Sequence, residues 1–566
     1  MKTCMETYGK RKNRYESLLK RQTSFINIIS NLRLVVFVCG LAALAAAYFT
    51  QYYILFGAVA LVSTVVFTYL ILQHEKLIGK RKYTTLLIRI NEEAISRMKG
   101  EWTSFPDDGS EFLDEAHSYT QDLDIFGKGS LFQWTDCAKT YMGRRHFADL
   151  LSGQYGNASD VRGRQEAVEE LANKTAWRQR LLAEAMIRPE AAVNPEPLIR
   201  WASELNSGYS REWLILTRAL PVLTLVFAAL AYVFSLIPWF VPVVTLLLQY
   251  ILLKVKARQN ANLFKLAEKF SGGILAYSRM LKLFEKSSFK CDDLKNLIKR
   301  LTGSDGASAL RQVERLASII DSISNRNTPF YIIFNIITLW DYHYLIALEK
   351  WKMRSGKHLE DWLAALGGAE ALCSLALIRH DNPGWARPEI IEGMNGYEAL
   401  NMGHPLLKHE NRIDNDLFIQ SPTRVLLITG SNMSGKSTLL RTAGINMVLA
   451  YAGAPVCAAS FRVPLLEIYT CMRVGDNLEK NISSFYAELI RIKKVVETVA
   501  QGRNVFYLLD EIFKGTNSID RHSGASVLIK KLSSSETLGL VSTHDLELCT
   551  LAETNNRIKN YHGPRK

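Results

Sequence analysis

The sequence predicts a multidomain protein: an α-helical lever or core region that carries two transmembrane helical hairpins, followed by a C-terminal α/β domain. Two long runs without a charged side chain, 34–72 and 219–253, predict the hairpins. Apolar residues recur with helical spacing from about 120 to 205 and from about 256 to 375, which predicts the helical core. After Gly403, short apolar strands alternate with helices, as is typical of a mostly parallel sheet.

The composition limits the class of protein. The chain has 566 residues, enough for about three to four domains at ~150 residues each. Its 48% hydrophobic and 22% charged residues exclude wholesale disorder. Eight cysteines without a Cys-x-x-Cys pair favour reduced thiols in a cytosol-facing protein over a disulfide scaffold or a zinc site. The net charge of +14 is compatible with nucleic acid, an anionic membrane surface or a nucleotide as partner.

Both uncharged runs are long enough for a helical hairpin, since one span needs about 20 apolar residues. The first run fits two crossings with a turn near Thr50 and Gln51, and the second has Pro238 and Trp239 near its middle. Lysine and arginine flank both runs, while the short turns carry no charge. We therefore predict a multi-pass protein of the cell (inner or plasma) membrane, with the lipid bilayer as a partner and most of the chain in the cytoplasm. For the second run, a buried helix pair within the core is the alternative.

These features divide the chain into six segments: a basic cytoplasmic leader (1–33), transmembrane hairpin 1 (34–72), a linker with the first part of the helical core (73–213), transmembrane hairpin 2 (214–255), a helical lever region (256–395) and a C-terminal α/β domain (396–566), whose activity the motifs below indicate. The 33-residue basic leader is too long for a signal peptide, and a second span follows the first at once.

A phosphate-binding loop follows the predicted strand 425–429 and precedes a helix. The residues Gly430, Ser431, Asn432, Met433, Ser434, Gly435, Lys436, Ser437 and Thr438 fit the pattern G-x-x-x-x-G-K-[ST]. Such a loop turns its backbone N–H groups towards phosphates, and the helix dipole adds to the attraction. We expect Lys436 to reach the β- and γ-phosphates of ATP and Ser437 to bind Mg²⁺. The sequence thus predicts a P-loop NTPase domain.

Two later strand ends supply the remaining candidate catalytic groups. Asp510 and Glu511 follow the apolar strand 505–509, and His544 follows another strand. Asp510 suits Mg²⁺, usually through water, and Glu511 can polarise the attacking water. We expect His544 to sense the γ-phosphate. The predicted reaction is Mg²⁺-dependent hydrolysis of a nucleoside triphosphate, with Lys436, Glu511 and His544 as catalytic residues.

Six elements in one order resemble a known family. They are His404-Pro405, Asn415-Asp416, the loop TGSNMSGKST, Ala454-Pro455-Val456, SSFYAEL (483–489) and LLDEIFKGTNSIDR (508–521), with Ser542-Thr543-His544 after them. This set is similar to the ATPase domain of the MutS family of DNA mismatch-repair proteins. A weaker match, residues 129–151 and 164–171, resembles the start of the MutS core (lever) domain.

The resemblance implies an ABC-type, MutS-like ATPase that acts as a homodimer through its ATPase domains. In that family the partner subunit's signature segment completes each ATP site, so Ser483 and Ser484 would approach the γ-phosphate bound by the other protomer. The plainer alternative is that these serines only cap a helix. The sequence has no Phe-x-Glu mismatch-reading segment near its N-terminus, where the first hairpin and the basic leader lie.

Three functions follow from these observations. The first is a membrane-anchored MutS-like ATPase that acts on DNA or on a DNA-bound partner, in the manner of mismatch repair. The second is a membrane-associated, ATP-driven scaffold or remodelling machine with no direct role in DNA repair. The third, a binding module with an inactive ATPase, is opposed by the intact Lys436, Asp510 and Glu511.

Overall fold

The computed structural model describes residues 2–204, 211–255, 257–301, 308–324, 329–430, 435–473 and 484–562. In these residues the elements up to Asp381 are all helices, with an irregular stretch at 99–130, and the first strand begins at Glu389. The chain therefore combines a helical body with a C-terminal α/β part, which confirms the coarse fold class that the sequence predicts. Insertion of the hairpins into a membrane stays a prediction.

The chain begins with two very long helices that form a hairpin, α1 (Lys2–Phe49) and α2 (Tyr53–Met98). A Cβ on Gly40 would lie 3.0 Å from the hydroxyl oxygen of Ser63, so small residues let the two helices approach closely. The basic leader and the first half of the apolar run thus form one uninterrupted helix. The connection between the helices lies at 50–52, where the sequence predicts a turn.

The outer half of this hairpin exposes apolar side chains. At the tip, Phe49 is 82% exposed and Ile54 is 92% exposed. Within the described part of the chain, length and composition make four helical stretches candidates for crossing a membrane: Thr3–Phe49, Tyr53–Met98, Glu212–Tyr232 and Trp340–Asp381. The bent pair Phe240–Val255 and Asn260–Glu285 meets the same criteria when its two helices are taken together.

Five shorter helices begin the helical body. They are α3 (Leu131–Thr135), α4 (Tyr141–Leu151), α5 (Ala158–Ala172), α6 (Thr175–Met186) and α7 (Glu196–Ser203). The start of α4 is fixed by Thr140, whose side chain accepts a hydrogen bond from the N–H of Gly143. At the start of α5, Asn157 and Asp160 form a capping box.

The second hairpin consists of α8 (Arg211–Tyr232) and α9 (Phe240–Val255). The side-chain amide of Gln249 donates a hydrogen bond to the hydroxyl of Thr224 at 2.8 Å, and both side chains are buried between the helices. Outward-facing apolar side chains such as Val222 are exposed. A polar pair turned inwards beneath an apolar surface is the arrangement expected of helices packed together in lipid.

The rest of the helical body surrounds one central helix. Its members are α10 (Ala257–Glu285), α11 (Asp292–Arg300), α12 (Ala309–Ser324), α13 (Pro329–Thr338), α14 (Trp340–Ser355) and α15 (Leu359–Asp381). Helix α15 packs against α4, α5 and α11, and its Trp362 and Leu366 are fully buried. The stretch Trp340–Asp381 is apolar because it forms this core, since 83% of its apolar window is buried inside the protein.

The α/β part contains two sheets. Its strands are β1 (Glu389–Ile390), β2 (Tyr397–Met402), β3 (Asn415–Ile419), β4 (Val425–Thr429), β5 (Ser460–Val463), β6 (Glu467–Cys471), β7 (Val505–Asp510), β8 (Leu538–Thr543) and β9 (Ile558–His562). A mixed sheet has the order β1-β5-β2-β3. The larger sheet has the order β6-β7-β8-β4-β9, and all of its strands are parallel. The predicted mostly parallel sheet is therefore present.

Four helices complete this part: α16 (Lys436–Ala452), α17 (Ser484–Ala500), α18 (Ser518–Ser533) and α19 (Leu551–Thr554). Helix α16 is almost entirely buried, because it lies between the parallel sheet and helices α4 and α5 of the helical body. Its burial joins the two parts of the chain into one core, which continues through β2, β3 and β5.

Candidate functional site

Three neighbouring parallel strands end at the same edge of the large sheet. Strand β8 lies between β7 and β4, with Thr543 beside Thr429 and Ser542 beside Asp510. Since parallel strands present their carboxyl ends together, the residues that follow them meet at this edge. The sequence-predicted groups after β4, β7 and β8 are thereby brought into one site.

The end of β4 leads into the predicted phosphate-binding loop. Gly435 has a left-handed φ of 80°, and among the described residues no other group lies within 4 Å of the position a Cβ would take. Helix α16 begins at the next residue, Lys436, whose ammonium group donates a hydrogen bond to the carbonyl oxygen of Gly430 at 2.9 Å. Ser437 and Thr438 lie in the first turn of α16. Ser431, Asn432, Met433 and Ser434 lie outside the described residues.

The carboxylate of Asp510 is held at the end of β7 by its neighbour on β8. The hydroxyl of Ser542 donates a hydrogen bond to Oδ1 of Asp510. Ser542 is fully buried, so this bond fixes the orientation of the carboxylate from inside the sheet. Asp510 and the hydroxyl of Ser437 are the two groups that the sequence assigns to magnesium, and an oxygen-only donor set suits that ion.

Glu511 has an unusual backbone and two charged neighbours. Its φ is 48°, and its N–H donates to the carbonyl oxygen of Ser542 at 3.0 Å, which anchors it to β8. Its carboxylate contacts Nε2 of His544 and forms an ion pair with Nζ of Lys514 at 2.9 Å. Non-glycine residues whose backbone lies in the left-handed region recur at functional sites. Two of the predicted catalytic residues, Glu511 and His544, are therefore in direct contact.

Positively charged neighbours set the protonation state of Glu511. Burial alone would raise the pKa of this carboxyl group, but Lys514 and His544 together lower it below its ordinary value. The group is therefore ionised at neutral pH. An open cleft of about 670 Å³ is lined by Glu511, Lys514, His522 and His544, among others. Lys514 was not singled out from the sequence, although it lies within the quoted segment 508–521.

The signature helix α17 is tied to the loop that carries Glu511. A Cβ on Gly515 would lie 2.6 Å from the Cβ of Phe485, so the aromatic side chain rests directly on this glycine. The carboxylate of Glu488 accepts a hydrogen bond from the backbone N–H of Phe513, a residue with a φ of 62°. Burial raises the pKa of the Glu488 carboxyl group. Helix α17 begins at Ser484, and Ser483 lies outside the described residues.

A buried aspartate of the helical body contacts both flanks of the segment 474–483. The carboxylate of Asp122 accepts hydrogen bonds from the N–H groups of Met472 (3.0 Å) and Arg473 (3.1 Å). It also pairs with the guanidinium of Arg491 on α17 at 3.2 Å. Nearby, Asp124 pairs with Arg441 of α16 at 3.3 Å. The helical body therefore reaches both the helix after the phosphate loop and the signature helix.

Comparison with known proteins agrees with this geometry. Residues 426–564 match MutS domain V. The chain is 31% identical over 205 residues to the DNA mismatch repair protein MutS of Aquifex pyrophilus, an alignment that covers 35% of this chain and 23% of that protein. It is 32% identical over 213 residues to the MutS protein of Shouchella clausii, covering 36% of this chain and 24% of that protein.

The chain thus spans about a quarter of the length of the curated relatives it matches. The family-matched segment contains β4, β7 and β8, whose ends carry Lys436, Asp510, Glu511 and His544. The C-terminal part of the chain, residues 426–564, is thus similar to domain V of the MutS family.

Proposed function

We propose that this chain is a membrane-anchored MutS-type ATPase that binds and hydrolyses Mg-ATP. The observation that carries the proposal is the convergence of Lys436, Asp510, Glu511 and His544 at the ends of three adjacent parallel strands. A buried ammonium group, a helix N-terminus, a hydroxyl and two carboxylates at one edge fit a nucleotide phosphate bound with magnesium.

Each side chain has a distinct role in this proposal. Lys436 and the first turn of α16 bind the β- and γ-phosphates, while Ser437 and Asp510 hold Mg²⁺. The ion supplies neutralising charge for the phosphates during transfer. Glu511, ionised because of Lys514 and His544, orients a water molecule and takes its proton. His544 contacts the carboxylate of Glu511 and keeps it in position, and we assign to it the sensing of the γ-phosphate.

The first experiment measures Mg-ATP hydrolysis by detergent-purified protein. Lys436→Ala removes the buried ammonium group, and we expect turnover to fall by at least about a hundredfold because the charge on the phosphates is no longer matched. Lys531→Ala, a change at an exposed lysine of α18, is the matched control. Hydrolysis by Lys436→Ala at the rate of the control would exclude the site.

The proposed ATP site is composite and forms in a homodimer. Within one chain, Phe485 and Glu488 of α17 contact the loop of Glu511, so this helix connects that loop to the segment that the MutS resemblance assigns to the neighbouring site. Ser483 and Ser484, from the partner, approach the γ-phosphate in this arrangement.

A mixing experiment tests the composite site. Lys436→Ala and Ser483→Ala proteins are each defective as homodimers, but a mixed dimer contains one intact site. After equal mixing and subunit exchange we expect roughly a quarter of wild-type activity, since half of the dimers are mixed and each has one working site. No recovery in a sample shown to have exchanged subunits would mean that the serine acts within its own chain.

We consider two candidate targets for the movement that ATP hydrolysis would drive in the helical body: the membrane hairpin and DNA. Contacts between α1 and the end of α15 favour a machine that moves its membrane hairpin. The hydroxyl of Tyr8 donates to the carboxylate of Asp381 at 2.8 Å, and Arg11 donates to Gln179 of α6 at 2.9 Å. A change in α15, which leads into the ATPase domain, is thereby passed to α1 and α2.

The other candidate is action on DNA, and the printed names of the relatives, DNA mismatch repair proteins, support it. The two are separated by measuring affinity for homoduplex, mismatched and branched DNA with and without ATP, across a range of salt. Binding that falls steeply with salt supports DNA as a partner, because phosphate contacts release counterions. Absence of binding at low salt supports the membrane machine.

A further inference from the structure

We propose that α13 is a third membrane-contacting element, which lies flat in the interfacial layer of the bilayer beside the second hairpin. The proposal rests on the proposed insertion of α8 and α9. It concerns a helix that the family match and the hairpin assignment both leave without a role, because it lies outside 426–564 and outside 219–253.

The composition of α13 is unlike that of a water-exposed helix. Its ten residues, PFYIIFNIIT, include no charged side chain. Ile332 is 66% exposed, Ile333 is 61% exposed and Phe334 is 46% exposed, and Trp340 follows at the start of α14 with 37% exposure. The rings of Phe334 and Trp340 are in contact, with centroids 5.3 Å apart. We call these two side chains, together with Ile332 and Ile333, the α13 patch.

The α13 patch lies next to the second hairpin. Helix α13 packs against α9 and α8. Just beyond it, the hydroxyl of Tyr342 donates to the carbonyl oxygen of Leu252 near the end of α9 at 2.8 Å, and its ring stacks on Trp213 near the start of α8 at 5.7 Å. The apolar surface of the patch is therefore continuous with the ends at which both hairpin helices meet the helical body.

The polar groups of this region are turned towards the protein. The hydroxyl of Tyr331 donates to Asp341 at 2.7 Å, and the side-chain oxygen of Asn335 accepts from the N–H of Asp341 at 2.9 Å. Asn335 and Asp341 are both buried. Leu339 adopts a φ of 52° between the two helices, which makes the corner sharp. These bonds fix α13 with its apolar residues outwards.

Length and charge together indicate the bilayer interface as the occupant of this surface. Ten helical residues extend about 15 Å, half the hydrocarbon thickness, so α13 is too short to span but long enough to lie in the interface. Arg218, two turns into α8, and Lys254, at the end of α9, are both exposed, and cations at such positions can meet anionic lipid headgroups. Trp340 has the amphipathic ring that membrane interfaces favour.

The test uses a nitroxide spin label on single cysteines, introduced after replacement of Cys4, Cys39 and Cys549 by serine. The label is placed at Ile333→Cys, at Val226→Cys in α8, and at Met353→Cys on α14. Met353 is 73% exposed and lies 13 residues beyond Trp340, about 20 Å along the helix, so it is the water-facing control. The full chain is reconstituted into vesicles of phosphatidylcholine and phosphatidylglycerol, and ATP turnover shows that each variant is folded.

Collision rates with oxygen, which concentrates in lipid, and with a water-soluble nickel chelate then locate each label. We expect Ile333 to resemble Val226, with at least about a threefold higher oxygen-to-nickel ratio than Met353, since both labels lie among acyl chains. If Ile333 matches Met353 while Val226 is protected from nickel, or if Ile333 is shielded from both reagents, α13 faces water or another protein and the inference is wrong. If Val226 is itself open to nickel, the proposed hairpin insertion fails, and this inference with it.

Discussion

The carboxylate of Glu488 on the signature helix accepts a hydrogen bond from the backbone N–H of Phe513, two residues after Glu511. Phe513 and Glu511 both have left-handed φ values, 62° and 48°. Such backbone persists only where surrounding contacts hold it. Glu488 thus helps to fix the loop on which the proposed general base lies, and it connects that loop to the helix that begins at the signature serines.

Replacement of Glu488 by alanine should release the loop of Glu511 from helix α17. The variant leaves a partly buried N–H without its acceptor, at a cost of about 1 kcal/mol. We expect kcat to fall about tenfold or more while the dissociation constant for ATP stays within about twofold, because the phosphate-binding groups are untouched. Glu488→Gln keeps an acceptor oxygen and should recover much of the rate.

Steady-state kinetics and equilibrium binding of a fluorescent ATP analogue separate these effects. Glu497→Ala, an exposed change on the same helix, is the matched control. A fall in ATP affinity as large as the fall in kcat would show that Glu488 is only structural.

Gly515 is the contact point for Phe485, so it has no room for a side chain. Gly515→Ala would place a methyl group 2.6 Å from the Cβ of Phe485, far inside van der Waals contact. We expect the start of α17 to be displaced and ATP turnover to fall at least about tenfold. Gly384→Ala, where nothing lies within 4 Å of the new Cβ, is the control. Equal turnover in the two variants would show that the contact between Gly515 and Phe485 does not affect ATP hydrolysis.

We expect His404 to make the C-terminal α/β part sensitive to acid. Burial lowers its pKa from 6.5 to about 4, and its Nδ1 accepts a hydrogen bond from the N–H of Leu406, which requires the neutral ring. Between pH 4 and 6.5 the unfolded chain binds this proton more readily than the folded one. The stabilisation is therefore complete above about pH 6.5 and is lost as the pH falls towards 4, by roughly 3 kcal/mol in all.

The measurement compares melting temperatures at about pH 7 and about pH 4.5 for the wild type, His404→Gln and, as control, the exposed His409→Gln. We expect the drop on acidification to be several degrees smaller in His404→Gln than in the other two proteins. The same drop in all three would mean that His404 does not contribute to acid sensitivity.

Tyr8 joins the first hairpin to the end of α15. Its side chain is 1% exposed, and Tyr8→Phe removes the donor to the buried Asp381 carboxylate, which we expect to cost about 1–3 kcal/mol. Hydrogen exchange in residues 2–20 should then be at least about fivefold faster, because the lower half of α1 opens locally from the body more often. Tyr48→Phe, near the exposed tip of α1, should leave this exchange unchanged. Unchanged exchange in Tyr8→Phe would show that this bond does not hold α1 to the body.

The sequence predicts the alternation of elements well, because strands and helices of the α/β part have clear periods. It also identifies each strand end that carries a site residue. It does not predict that Ser542 binds Asp510 or that His544 contacts Glu511, because these contacts depend on β8 pairing with β7 across 32 residues. The carboxylate of Asp122 accepts a hydrogen bond from the N–H of Arg473, which is 351 positions away in the sequence. No local sequence pattern predicts such a contact.

The sequence likewise does not show which apolar segments form the core and which are exposed. The stretch Trp340–Asp381 and the span candidate Glu212–Tyr232 are both long and apolar, yet the first is core and the second is exposed. Only packing distinguishes them. Helix α13 is too short to register as a span, and its uncharged run resembles a buried core helix until its exposed face is seen.

The most direct test of the account is ATP turnover by Glu511→Gln in detergent-purified full-length protein, measured together with Mg-ATP binding. The amide keeps the shape of the side chain but cannot accept a proton from water. We predict a loss of at least about a hundredfold in kcat with Mg-ATP binding retained. Hydrolysis at the wild-type rate by Glu511→Gln would contradict the proposed ATPase site.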